Sequence, residues 1–163
     1  GKSAAQLQQV AESMEEAGHV AKICASLGIP HSILTPLIPI TGSIQAAART
    51  ARYALLEGWA GRNGIAAILT AHHADDQAET LLMRLNRGAG IGGLAGVRAV
   101  NGRIVRPLLH WRRSELAEIV SAAGIESILD PSNEDDRFDR ARIRKAIATS
   151  DWLDPVAMAR SAL

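Results

Sequence analysis

The spacing of hydrophobic positions changes several times along the chain, and each change marks an element. Residues 3–27 carry Leu7, Val10, Val20, Ile23, Cys24 and Leu27 at helical spacing, which predicts a helix stopping at Gly28, with Gly18 as a candidate break. IPHSILTPLI (29–38) is apolar and β-branched and predicts a strand, with Pro36 and Pro39 marking its end or an edge. After the turn TGS (41–43), IQAAARTARYALLEGWAGR (44–62) returns to the helical period. IAAILTAH (65–72) is a short, nearly unbroken apolar run, the pattern of a strand buried on both faces. A helix over 74–87 follows, and then the glycine-rich RGAGIGGLAGV (87–97). NGRIVRPLL (101–109) reads as a turn and a strand, and WRRSELAEIVSAAG (111–124) as a helix with Ser114 as a candidate cap. DPSNEDD (130–136) is a polar loop, RFDRARIRKAIA (137–148) a basic helix, and DWLDPVAMARSAL (151–163) stops in mid-pattern. Helices alternating with apolar strands predict an α/β fold, a parallel sheet flanked by helices.

Composition narrows the classes. A chain of 163 residues is long enough for one domain with a real core. A net charge of +1 offers no global basic field, so any RNA contact must rest on local patches. Aromatic residues are only 3%, which leaves few rings for stacking bases and makes the core one of Ala, Leu, Ile and Val. The single cysteine, Cys24, excludes an internal disulfide, a Cys-x-x-Cys redox pair and a zinc knuckle. No apolar run reaches the ~18–20 residues of a membrane span, and no charged-then-apolar leader opens the chain, so a cytoplasmic protein without membrane contact is expected.

The densest chemistry lies in TAHHADDQAET (70–80), where the apolar run ends and the next helix begins. In open parallel sheets, ligands gather at the carboxyl ends of strands. His72 and His73 form the turn, and Asp75 and Asp76 enter the helix, where unpaired N–H groups favour carboxylates. Asp76 and Glu79 are three apart and Asp75 and Glu79 four apart, so one helix end presents up to three carboxylates to one small volume. Leu81, Leu82 and Leu85 are expected to point into the core. Carboxylates that close repel, and something cationic must answer them: Mg²⁺, Lys or Arg, or the ammonium of a substrate. A solvated acidic helix start leaves the histidine pair unexplained. A metal-dependent hydrolase stays open, although His19, His31 and His110 stand in contexts that suggest no further ligands.

Two further stretches carry charge. In AARTARY (47–53), Arg49 and Tyr53 share a helix face and Arg52 lies to one side. In DPSNEDDRFDRARIRK (130–145), Asp130, Ser132 and Asn133 suit a tight turn, and Arg137, Arg140, Arg142, Arg144 and Lys145 follow. That segment either binds phosphodiesters or neutralises itself against Glu134, Asp135, Asp136 and Asp139. Gly88, Gly90 and Gly93 spell G-x-G-x-x-G, but a helix precedes them where a dinucleotide fingerprint needs a strand. The glycines instead suit a loop passing close to a ligand, with Arg84 or Arg87 offered to phosphate.

In this order, IQAAARTARYALL, TAHHADDQAETLLMRLNRGAGIGGLAGV, RPLLHWRRSELAEIV and DPSNEDDRFDRARIR resemble the tRNA(Ile)-lysidine synthetase family, a branch of the PP-loop ATP pyrophosphatase superfamily. GHVAKICASLGIPH resembles the family's segment just upstream, so the likeness spans most of residues 17–145. The resemblance implies an adenine-nucleotide-alpha-hydrolase-like, Rossmann-like domain. It implies a ligase that uses ATP and Mg²⁺ to join L-lysine to C2 of the wobble cytidine of tRNA(Ile) with a CAU anticodon. By the same resemblance Asp75, Asp76 and Glu79 become the catalytic carboxylates, with Asp75 also the candidate for Mg²⁺ and Asp76 and Glu79 favoured for lysine. His72, Arg49 and Arg52 become the nucleotide-site residues, and Arg84, Arg87, Asp130, Asn133, Arg140, Arg142 and Arg144 the substrate or tRNA contacts. The family's Ser-Gly-Gly-x-Asp-Ser phosphate loop is not found in this sequence. Residues 1–163 are therefore expected to be an incomplete N-terminal catalytic domain, with 137–163 its basic helical C-terminal part. A tRNA-binding module or a degenerate, non-catalytic copy is the alternative, and a homodimer is allowed.

Overall fold

The computed structural model describes residues 4–36, 44–127 and 139–162. The chain forms two compact units, residues 1–59 and residues 60–163. The first holds helix α1 (Ala4–Ser26) and most of α2 (Ile44–Arg62). Helix α1 runs unbroken through Gly18 and ends before Gly28, as the periodicity requires. Residues 29–36 form no strand, contrary to expectation. Pro30 and Pro36 each remove a backbone donor from the segment, which weakens any ladder it could join.

The second unit carries β1 (Ile68–Leu69), α3 (Ala74–Asn86), β2 (Val100–Asn101), β3 (Ile104–Val105), α4 (Arg113–Ala122), α5 (Asp139–Thr149) and α6 (Pro155–Ser161), with a 3₁₀ turn at Ile91–Gly93. The sheet runs β1-β3-β2 and is mixed rather than wholly parallel. β1 pairs parallel to β3, with Ile68 beside Ile104, and β2 pairs antiparallel to β3 through the hairpin at Gly102. β1 is not buried on both faces: Ile68 is buried, whereas Leu69 is 68% exposed.

Helix α3 is the hub of this unit, and both α5 and α6 pack on it. Its buried stripe is Ala74, Gln77, Ala78 and Leu81, the i, i+3, i+4, i+7 pattern of a helix face turned inward. The facing residues Ala141 of α5 and Ala159 of α6 are buried and small, which lets helix backbones approach closely. Leu85, expected in the core, is instead half exposed near the C-terminal end of α3. That end closes at Gly88, whose φ of +71° suits a residue without Cβ, while the Gly88 and Ala89 amides donate to the Leu85 and Arg84 carbonyls. Helix α4 is capped two residues earlier than Ser114 would allow, because Glu115 reaches back to the Arg112 amide at 2.6 Å. Helix α6 lies within residues 137–163, expected as a helical part, although the pattern of 151–163 set no bounds for it. Asp154 accepts from the Val156 amide at 2.8 Å and Pro155 opens the first turn, a local start signal that overrides the short apolar stretch.

Candidate functional site

The site is built where β1 hands over to α3. The Thr70 amide still donates to Val105, and the Thr70 hydroxyl lies 3.0 Å from His72 Nδ1, which fixes the imidazole at the strand end. His73 then takes an extended conformation as the N-cap of α3, and its amide donates to Asp76 Oδ2 at 3.0 Å. The Ala74 amide donates to the Trp111 carbonyl, docking the start of α3 against the approach to α4. The His73 ring sits between the aspartates, Nδ1 3.7 Å from Asp75 Oδ2 and Nε2 3.7 Å from Asp76 Oδ2.

The cation demanded by three neighbouring carboxylates comes from the protein's own arginines. Arg112 Nε donates to both Asp75 oxygens at 3.2 and 3.3 Å, and its Nη2 lies 3.1 Å from Oδ1. The Arg113 amide adds a 2.8 Å bond to Asp75 Oδ2. Burial alone pushes the Asp75 carboxyl up; the Arg113 amide, the Arg112 guanidinium and His73 outweigh it and hold the group below its ordinary value. Glu79, only 1% exposed, receives Arg144 Nε on Oε1 at 2.7 Å. Among the described residues its other oxygen, Oε2, accepts no hydrogen bond, and Arg140 Nε stands 3.9 Å from it. The hydrogen bond that Arg144 donates to Glu79 raises the Arg144 pKa, burial opposes it, and the charges of Glu79, Asp76 and Asp75 add to the rise.

These residues wall a cavity of about 290 Å³. Asp75, Glu79, Arg112 and Arg144 form a charged side, and Ile147, Leu153 and Pro155 an apolar one. Its size is at the lower end of small-molecule sites, about 300–1,000 Å³. Such a cavity can hold a small ligand with both an apolar stem and a charged head.

The structure gathers some expected residues here and directs others elsewhere. Asp75, Glu79 and Arg144 line the cavity, and Asp76 lies one residue from Asp75 in the same helix turn. Arg140 reaches Glu79 and donates to the Thr80 hydroxyl at 3.4 Å. Arg84 turns inward instead, donating to the carbonyls of Gly93 and Ala95 in the glycine-rich loop. Arg87 and Arg142 are largely exposed and both pair with Asp139, at 3.3 and 3.8 Å. Arg49 and Arg52 belong to the first unit and are exposed; Arg49 lies over the Tyr53 ring at 5.1 Å. Asp130 and Asn133 lie outside the described residues.

Sequence reasoning passed over Arg112, Leu153, Pro155 and Gln77. Only the Asp-Pro pair before α6 carries a local signal; Arg112 is recognisable only from its contact with Asp75.

As arranged, the donors do not fit a resident magnesium ion. Octahedral Mg²⁺ needs converging oxygens at about 2.0–2.1 Å. Both Asp75 oxygens already accept from Arg112 and Arg113, and Glu79 is turned to Arg144. Among the described residues no three His, Cys, Asp or Glu side chains converge as a metal site.

The profile of the PP-loop domain family matches residues 5–150, and the chain belongs to that family, whose members use ATP and share a Rossmann-like α/β fold. Curated relatives make the match narrower. The chain is 50% identical over 159 residues to a tRNA(Ile)-lysidine synthase of Novosphingobium aromaticivorans, covering 93% of this chain and 49% of the relative. It is 47% identical over 160 residues to the Zymomonas mobilis protein of the same name, with the same two coverages. For the Pseudomonas aeruginosa one the identity is 44% over 152 residues, covering 88% of this chain and 34% of the relative. The chain spans about half the length of the first two of these relatives. Among the described residues no helix is long and apolar enough to cross a membrane.

Proposed function

We propose that this chain is the PP-loop part of a tRNA(Ile)-lysidine synthetase and that the cavity beside α3 receives L-lysine. The observation that carries the reading is Glu79 Oε2, a buried carboxylate oxygen without a hydrogen-bond donor among the described residues, in the wall of a half-apolar cavity. Leaving such an acceptor unsatisfied costs about 1–3 kcal/mol or more, and a lysine ammonium would satisfy it. Ile147, Leu153 and Pro155 would cover the lysine methylenes.

ATP would supply the adenylyl group, releasing pyrophosphate as the α–β phosphoanhydride bond breaks, and so turn the C2 oxygen of the wobble cytidine in the CAU anticodon into a leaving group. The lysine ε-amine then forms the C2–N bond as the C2–O bond to AMP breaks. The protein's own task is to bind the amine and take its proton. Glu79 binds the ammonium, and Asp76, in the more open part of the turn, accepts the proton as the amine attacks. Arg144 holds Glu79 in place by its hydrogen bond to Oε1. Arg140, Arg142 and Arg87, on the exposed side of α5 and at the end of α3, are the tRNA phosphate contacts of this reading. His72, Arg49 and Arg52 are its nucleotide contacts. No step is assigned to magnesium, which accompanies ATP phosphates without a ligand set of its own here.

The test is incorporation of labelled lysine into tRNA(Ile) by the protein in its natural full-length form. Incorporation should require ATP, and Asp76→Asn should lower it far more than it lowers thermal stability. Salt-sensitive tRNA binding with no lysine incorporation would leave a binding module instead. The metal-dependent hydrolase is not favoured, since two of the three carboxylates it would need, Asp75 and Glu79, are paired with arginines.

A further inference from the structure

Gln77 is the one polar residue in the buried stripe of α3, and it is completely buried. Its carboxamide makes a two-point latch with a single residue: the Val97 amide donates to Oε1 at 2.5 Å, and Nε2 donates to the Val97 carbonyl at 2.8 Å. The neighbouring Gly96 amide donates to the carbonyl of Ala162, at the end of α6. A Cβ on Gly96 would lie 2.9 Å from the Ala162 Cβ and would also run into the Gln77 carboxamide. The latch is therefore seated against two elements at once, the root of the glycine-rich loop and the end of α6.

Its place on the helix gives it a second consequence. At roughly 100° per residue, Asp75 and Glu79 lie roughly 40° apart on one side of α3, and Gln77 lies roughly 200° from each. Alanine and leucine contacts along a helix stripe are tolerant of small rotations. Paired hydrogen bonds are not, because rotation leaves a buried amide unsatisfied. We propose that Gln77 is a positioning residue: it sets the roll of α3 about its axis and so keeps Asp75 and Glu79 turned into the cavity. The effect on lysine rests on the function proposed above; the effect on helix roll does not.

The front of α3 offers an independent reporter. Arg113 opens α4, where amides have no partner within the helix, and its amide is held by Asp75. Gln77→Met, which retains bulk and loses both hydrogen bonds, is compared with wild type in the natural full-length protein by residue-resolved amide exchange and by lysine-incorporation kinetics. The expected result is loss of protection at Val97 together with about a tenfold loss at Arg113. The KM for lysine should rise about tenfold or more while that for tRNA stays the same. If Val97 loses protection and Arg113 does not, Gln77 anchors only the loop and the proposal is overturned. If wild type incorporates no lysine, the proposed function fails, and the Arg113 exchange still decides the roll. Should Gln77→Met not fold, Gln77→Glu keeps the acceptor for the Val97 amide, loses the donor to its carbonyl, and is read by the same two amides.

Discussion

Arg112 grips Asp75 across the starts of two helices, with Nε 3.2 Å and Nη2 3.1 Å from Asp75 Oδ1. The carboxylate that the sequence offers to magnesium thus fastens the first turn of α3 to that of α4. Asp75→Asn should weaken the Arg112 contact and destabilise the fold by about 1–3 kcal/mol. Urea unfolding at neutral pH measures this; an unchanged midpoint would show that the pair contributes nothing.

The same pair fixes a pH dependence. Asp75 is held below its ordinary value of 3.8 in the fold: burial raises it, and the Arg113 amide and Arg112 lower it by more. A carboxyl with a depressed folded-state pKa stabilises the fold fully above its unfolded pKa, and that contribution is lost as pH falls through the folded value. Wild-type stability should therefore fall more steeply than that of Asp75→Asn below about pH 4. Parallel curves would exclude Asp75 as a source of the acid sensitivity.

Glu79→Gln should lower lysine incorporation by about 100-fold or more, with the loss insensitive to salt because the group is almost fully buried. Arg144→Gln should raise the KM for lysine and leave that for tRNA unchanged, since Arg144 is turned to Glu79. The reverse pattern in steady-state kinetics would return Arg144 to the phosphate-binding role read from the basic segment.

Arg142 offers the contrast. It is 68% exposed and, among the described residues, holds only a long contact to Asp139, so Arg142→Gln should change stability by less than about 0.5 kcal/mol. If it meets a tRNA phosphate, the salt slope of tRNA binding should drop by about one. Binding titrations at several salt concentrations decide this.

Gly96→Ala places a methyl group against Ala162 and the Gln77 carboxamide and should cost about 1–3 kcal/mol. Gly90→Ala, where a Cβ meets nothing within 4 Å, is the control and should be near neutral by thermal denaturation.

Helix positions were legible in the sequence to within a few residues. α2 and α3 follow from the 3.6-residue period, and the acidic start of α3 from the preference of helix N-termini for carboxylates. The strands were less so. IAAILTAH reduces to a two-residue pairing at Ile68–Leu69, because strand length depends on a neighbour's edge and not on the run itself. The candidate site was half legible: Asp75, Asp76 and Glu79 announced themselves by proximity in sequence. Their partners Arg112 and Arg144 did not, being 37 and 65 residues away.

The sequence by itself determined that three carboxylates crowd one helix end, that this end follows a strand, and that the surrounding motifs are those of a PP-loop protein. These follow from local rules: helical period, capping preference and residue order. Only the tertiary structure decided which cation answers which carboxylate, that Arg84 orders a loop, and that Gln77 is locked to Val97. Those assignments depend on pairings between distant segments. Burial makes each unsatisfied polar group costly, so the packed chain, not the local sequence, selects the partners.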